Sequence, residues 1–193
     1  MMSSLFIRFS LIFTFIHLTL SQQYVVRRDF RSSYQFNSFT VFSFDERQII
    51  YRIETQYSLA YAGTIKHVLP LNDLIIVAHI DAFLGSDQVF QFRILNRLTG
   101  RWISGRVFQR NLFVYLIELS NFQQMIIEST PSRTPAGASL QRVRFFDGLI
   151  SARTYAEYYQ RAPWVSVYDL QMFTNEYPVE LYLLGLAIVQ RRN

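Results

Sequence analysis

The chain has 193 residues, half of them apolar and 17% aromatic, with a formal net charge of +5. That composition excludes a disordered tail, and with so modest a positive charge no nucleic-acid partner is expected. There is no cysteine, so a disulfide scaffold and a cysteine nucleophile are both excluded, and the fold must be held by its core.

Residues 1–21 read as a signal peptide. Arg8 precedes an apolar run from Phe9 to Leu20, a length that suits a signal core (roughly 7–15 residues) better than a bilayer span (roughly 20). Small Thr19 and Ser21 then suit a cut before Gln22. An uncleaved anchor is the competing reading, weakened by polar Ser10, Thr14, His17 and Thr19 within the run. The expected mature protein is secreted, carries a charge of about +4 after loss of Arg8, and has no transmembrane span. No Asn-x-Ser/Thr sequon occurs, so N-glycosylation is not expected.

Residues 22–35 are polar and arginine-rich, an extended lead-in to a domain at 36–193. Phe39 to Phe44 and Gln48 to Thr55 form a hairpin about Asp45-Glu46-Arg47, with Ile49, Tyr51 and Ile53 on one face. Asp73 to Phe83 is β-branched and ends at Gly85-Ser86-Asp87. Val89 to Leu95 alternates, with Phe90, Phe92 and Ile94 on one face. After a loop ending at Gly100, Trp102 to Phe108 resumes the pattern, and Leu112 to Leu119 and Phe122 to Glu128 flank a turn at Ser120-Asn121. Thr130 to Ser139, with two prolines and a glycine, reads as a loop. Leu140 to Phe146 and Leu149 to Tyr155 bracket Asp147-Gly148, a tight-turn pair, and Trp164 to Met172 is a further strand. Regular strands with no intervening helix predict a mainly β meander that closes on itself.

From Pro178 to Val189 the chain is apolar almost without a break. Pro178 and Glu180 suit a helix start, and leucine and alanine are good helix formers. Placed on a helix, the apolar residues cover every side, so the helix, at about 178–190, must be surrounded. A last buried strand is the alternative.

Three stretches resemble the tubby C-terminal-like superfamily, which includes the phospholipid scramblase and LURP-one-related families. Phe39-Thr-Val to Tyr51-Arg-Ile53 looks like the opening hairpin. Phe92 to Arg106, with Gly100-Arg-Trp-Ile-Ser-Gly105, is similar to the middle strand pair. Tyr168 to Val189, with Asn175-Glu-Tyr-Pro-Val-Glu-Leu181, looks like the closing strand and central helix. The resemblance implies a closed antiparallel barrel of about twelve strands wrapped around the C-terminal helix. The scramblase calcium run is missing, since Thr174-Asn175-Glu176 supplies one acid, and there is no acylated cysteine cluster. Neither scrambling nor transcriptional signalling carries over.

No chemistry-bearing motif stands out. His79 and Asp81 share a strand face without a third ligand, no Gly-x-Ser-x-Gly elbow or phosphate loop occurs, and no cofactor or metal is expected. Two clusters mix arginine with aromatics. Arg97, Arg101, Arg106 and Arg110 flank Trp102 and Phe108, and Arg142, Arg144 and Arg153 surround Phe145 and Phe146. The first is the candidate binding face. The expected function is a secreted, non-enzymatic binding domain contacting anionic lipid headgroups or a protein partner. A hydrophobic-ligand carrier with a lipocalin-like barrel and, less favoured, a secreted hydrolase stay open; the carrier needs the last segment to pack outside the barrel.

Overall fold

The structure, a computed structural model, describes residues 22–29, 38–58, 63–70, 77–83, 89–96, 99–121, 123–133, 137–148 and 153–190. The expected leader at 1–21 and Arg97 lie outside the described residues. Twelve strands follow in order: β1 (Gln22–Asp29), β2 (Ser38–Ser43), β3 (Ile49–Ser58), β4 (Gly63–Pro70), β5 (Ala78–Phe83), β6 (Val89–Asn96), β7 (Arg101–Gln109), β8 (Val114–Leu119), β9 (Gln124–Arg133), β10 (Ser139–Phe146), β11 (Thr154–Ala162) and β12 (Val165–Met172). Each pairs antiparallel with the next, and β1 pairs with β12, Gln22 opposite Met172, so the meander closes into a barrel. One helix, α1 (Val179–Val189), follows β12.

Every residue of α1 is buried. The helix lies inside the barrel, since it packs on β3, β4 and β5 on one side and reaches β9 and β10 on the other. There Gly185 faces Phe145 and Ile127, and the Tyr182 ring meets Phe145 edge-on at 5.1 Å. Eight strands leave room only for side chains, so twelve give the width a helix of ~10–12 Å diameter requires. Each fully buried Leu, Ile or Val here contributes about 1.5–3 kcal/mol. The helix starts after Pro178, whose φ of −65° fits a helix start but whose side chain caps nothing. Buried Glu180 is satisfied by the Tyr51 hydroxyl, which donates to its Oε1 at 3.1 Å.

The strand pattern follows from alternation. On β6, Phe90, Phe92 and Ile94 point inward while Gln91 and Arg93 point out. Three readings of the sequence need correction. Gln22–Asp29 is extended as expected, but it pairs on both edges and completes the barrel wall. The loop expected at 130–139 begins later, because β9 runs on to Arg133. Its end passes β8, whose last partner on β9 is Glu128, so the donor that Pro131 lacks would have faced no neighbour. Past Asp147-Gly148, β11 runs to Ala162, well beyond Tyr155. The Arg153 N–H donates to Asp147 Oδ1 (2.9 Å) and the Asp147 N–H to the Arg153 carbonyl (3.0 Å), which ties the two strand ends together.

The antiparallel meander sorts the connections between two rims. The near rim, where α1 begins, carries the β2–β3, β4–β5, β6–β7, β8–β9 and β10–β11 connections. The other hairpins form the far rim. Among the described residues no helix is long and apolar enough to cross a membrane.

Candidate functional site

The three described arginines of the expected cluster, Arg101, Arg106 and Arg110, do not form one patch. Arg101 and Arg110 bracket β7, nine residues apart along an extended strand, which separates them by about 30 Å at ~3.3 Å per residue. Arg101 lies at the near rim. Arg106 stands mid-wall on the outer face, in register with Gln91 and Glu118. Arg110 is at the far rim, in the turn that exposes Leu112 and Phe113.

The structure adds a neighbour the sequence did not single out. Arg93 on β6 projects outward in register with Ser104, one step diagonally from Arg106. Trp102 shares the outer parity of Arg106 and is 49% exposed, with its ring 6.1 Å from that of His79. Arg93, Arg101, Arg106 and Arg110 form no ion pair among the described residues. Even Glu118, directly across from Arg106, instead accepts from Gln124 Nε2 at 3.1 Å. Outward-facing β6 and β7 thus carry uncompensated positive charge beside an exposed indole.

The second arginine cluster is the opposite case. Arg142 pairs with Glu157 at 2.7 Å, Arg144 with Glu128 at 3.1 Å and Arg153 with Glu176 at 3.0 Å. Each guanidinium also lies over a ring, of Tyr159, Phe146 and Tyr155 in turn. These groups are neutralised by carboxylates of the same chain, and Phe145, between them in sequence, points into the core.

At the near rim, three connections enclose a cleft of about 390 Å³. The β6–β7 segment brings Asn96, Thr99, Arg101 and Trp102. The β8–β9 turn brings Ser120, Asn121 and Gln123, and the approach to α1 brings Glu176 and Tyr177. Gly100, at φ +66°, provides the left-handed step that lets β7 begin directly after the turn. Tyr177 stacks edge-on against Tyr155 at 5.2 Å, and burial, with Tyr155 and Glu176 nearby, pushes its hydroxyl up to about 12. Beyond Arg101 and Trp102 none of these residues stood out in the sequence as a binding residue, because single polar residues in separate turns carry no shared pattern.

His79 and Asp81 stand at the same parity of β5, and no group of three metal-ligating side chains gathers among the described residues. The chain matches no family model, no curated protein and no solved structure.

Proposed function

We propose that this chain is a secreted binding domain of the tubby-like barrel type, which contacts anionic headgroups or an acidic partner through the outer wall of β6 and β7. Twelve antiparallel strands around an apolar C-terminal helix support the likeness, and the apolar run of residues 9–20 supports secretion. The observation that carries the binding reading is the contrast between the two arginine groups. Arg142 and Arg144 on β10, and Arg153 just before β11, are spent on internal carboxylates, whereas Arg93 and Arg106 face solvent with none among the described residues. Because α1 occupies the barrel interior, the ligand of this domain is held outside, and the lipocalin-like carrier loses the cavity it requires.

The test is co-sedimentation with anionic and neutral vesicles, wild type against Arg93→Glu/Arg106→Glu. Each arginine near an anionic surface contributes ~1 kcal/mol, so two charge reversals weaken anionic binding by well over tenfold. Binding fades as salt rises, since exposed charges are screened beyond about 8 Å at physiological ionic strength. Equal sedimentation of both proteins overturns the reading.

A further inference from the structure

We propose that the near-rim cleft binds an acidic saccharide, with a hexuronate unit resting on Trp102 and its carboxylate on Arg101. The cleft's 390 Å³ lies within the ~300–1,000 Å³ of small-ligand sites. Its floor is apolar, formed by Ile94, Ile103, Leu119 and Leu181, and its polar groups come from the turns above.

The hydrogen-bond inventory of those turns sets the ligand's chemistry. Asn96 Oδ1 accepts from the Thr99 N–H at 3.2 Å. Asn121 Oδ1 accepts from the Gln123 N–H at 3.2 Å, and Gln123 Oε1 from Asn121 Nδ2 at 2.7 Å. Each of these amide oxygens thus already accepts one hydrogen bond from its own loop. The donors remain: Gln123 Nε2, the hydroxyls of Thr99 and Ser120, and the Arg101 guanidinium. Of the two charged residues that line the cleft among the described residues, Glu176 is neutralised by Arg153, and Arg101 pairs with no carboxylate among them. A donor-rich cleft with one uncompensated guanidinium selects a ligand with several acceptor oxygens and one planar anionic group, which the arginine fork grips with two parallel bonds.

Trp102 narrows the choice. Its indole, half exposed and braced by the His79 ring, offers a flat apolar face beside those donors. A pyranose presents an apolar C–H face and a perimeter of oxygens, and a uronate adds the carboxylate. A bare phosphate or sulfate has no face for the indole, and a neutral sugar has nothing for Arg101. The cleft opens at the rim, so a saccharide chain can continue out of it.

The cleft shares Trp102 with the outer face of Arg93 and Arg106 but adds Arg101 and the turn residues, and its test reads those. The full chain in a Trp164→Phe background, which leaves Trp102 as the fluorophore, is titrated with a galacturonate trimer, with a neutral trimer of galactose and with inorganic phosphate. The expected result is a change in Trp102 fluorescence and a calorimetric signal with the galacturonate trimer alone. Arg101→Gln weakens binding about tenfold or more, the scale of a charged hydrogen bond. Gln123→Ala weakens it several-fold. Both cleft substitutions fall on exposed side chains, so folding is preserved. Equal binding of the neutral trimer, displacement of the acidic trimer by phosphate at equal concentration, or full affinity in Arg101→Gln overturns the proposal.

Discussion

Gly185→Ala sets helix propensity against packing. In an isolated helix the change stabilises by about 1 kcal/mol, since glycine is the poorest non-proline helix former. Here a Cβ at position 185 would lie 2.5 Å and 2.6 Å from Phe145 Cε1 and Cζ, and 3.1 Å from Ile127 Cδ1. Phe145 is fully buried and is held by Tyr182 and Tyr158, whose ring centroids are 5.1 Å and 6.0 Å away, so its ring has no space to swing into. Overpacking of this kind costs about 1–3 kcal/mol, which outweighs the propensity gain and leaves a net loss of roughly 1 kcal/mol. Gly185→Leu, with three more carbons in the same space, loses several. The measurement is urea unfolding followed by circular dichroism. Pairing Gly185→Ala with Phe145→Leu shortens the obstructing ring, so the double variant is more stable than the sum of the single changes by at least ~0.5 kcal/mol, the scale of coupling between touching residues. A Gly185→Ala protein as stable as wild type or more so, with additive effects in the cycle, refutes the reasoning.

Leu184→Asp places an unpaired charge at a 2% exposed position inside the barrel; the loss of several kcal/mol against a total of about 5–15 leaves no cooperative thermal transition, and a normal melt counts against the central helix. The Arg161 guanidinium, with Arg27 beside it, holds the Glu46 carboxyl below its ordinary value of 4.5. Its carboxylate therefore stabilises the fold above that value, and the contribution is lost as pH falls through the lower folded value. Glu46→Gln accordingly lowers the melting temperature at pH 7 but not at pH 2–3, and the same deficit at both would rule out the ion pairs as its cause. Tyr158→Phe removes a buried hydroxyl that has no partner among the described residues; unfolding should show unchanged or higher stability, by up to about 1 kcal/mol, and a clear loss would mean that the hydroxyl is satisfied.

Local periodicity made much of the wall readable. On β3 and β6 the inward residues Tyr51 and Ile53, and Phe90, Phe92 and Ile94, are among those the alternation marks. Ile49, marked with them, is exposed, because the register with β2 shifts between Val41 and Phe42 and Ile50 packs on the core instead. The run from Val179 to Val189, apolar on every side, likewise implied a surrounded helix. Where alternation fails, so did the reading. On β11, Tyr155, Ala156, Glu157 and Tyr158 are all buried in succession, because Arg142 covers Glu157 from outside while Ala156 and Tyr158 face the core. β4 carries a lysine and a histidine mid-strand and has no clean period. The arginines show a different limit. Their spacing was visible, but which of them find carboxylates depends on partners such as Glu128 and Glu176 that only strand register brings close. The cleft is further out of reach, being assembled from three turns distant in sequence.

The seam between β1 and β12 bears on how the barrel comes to exist. A sheet that closes by joining Gln22 to Met172 has two open edges until nearly all of its chain is present. Its core also lacks its centre until residues 179–189 follow. Such long-range closure makes for slow folding, on the millisecond-to-second scale, and leaves unpaired strand edges exposed meanwhile. The two seam strands carry outward charges suited to that interval, Arg27 on β1 and Asp169 on β12. Charged residues on a waiting edge discourage pairing with another chain. Arg27 later takes Glu46 and Asp169 takes Arg161, so the same side chains that guard the open edges fasten the wall once it has closed.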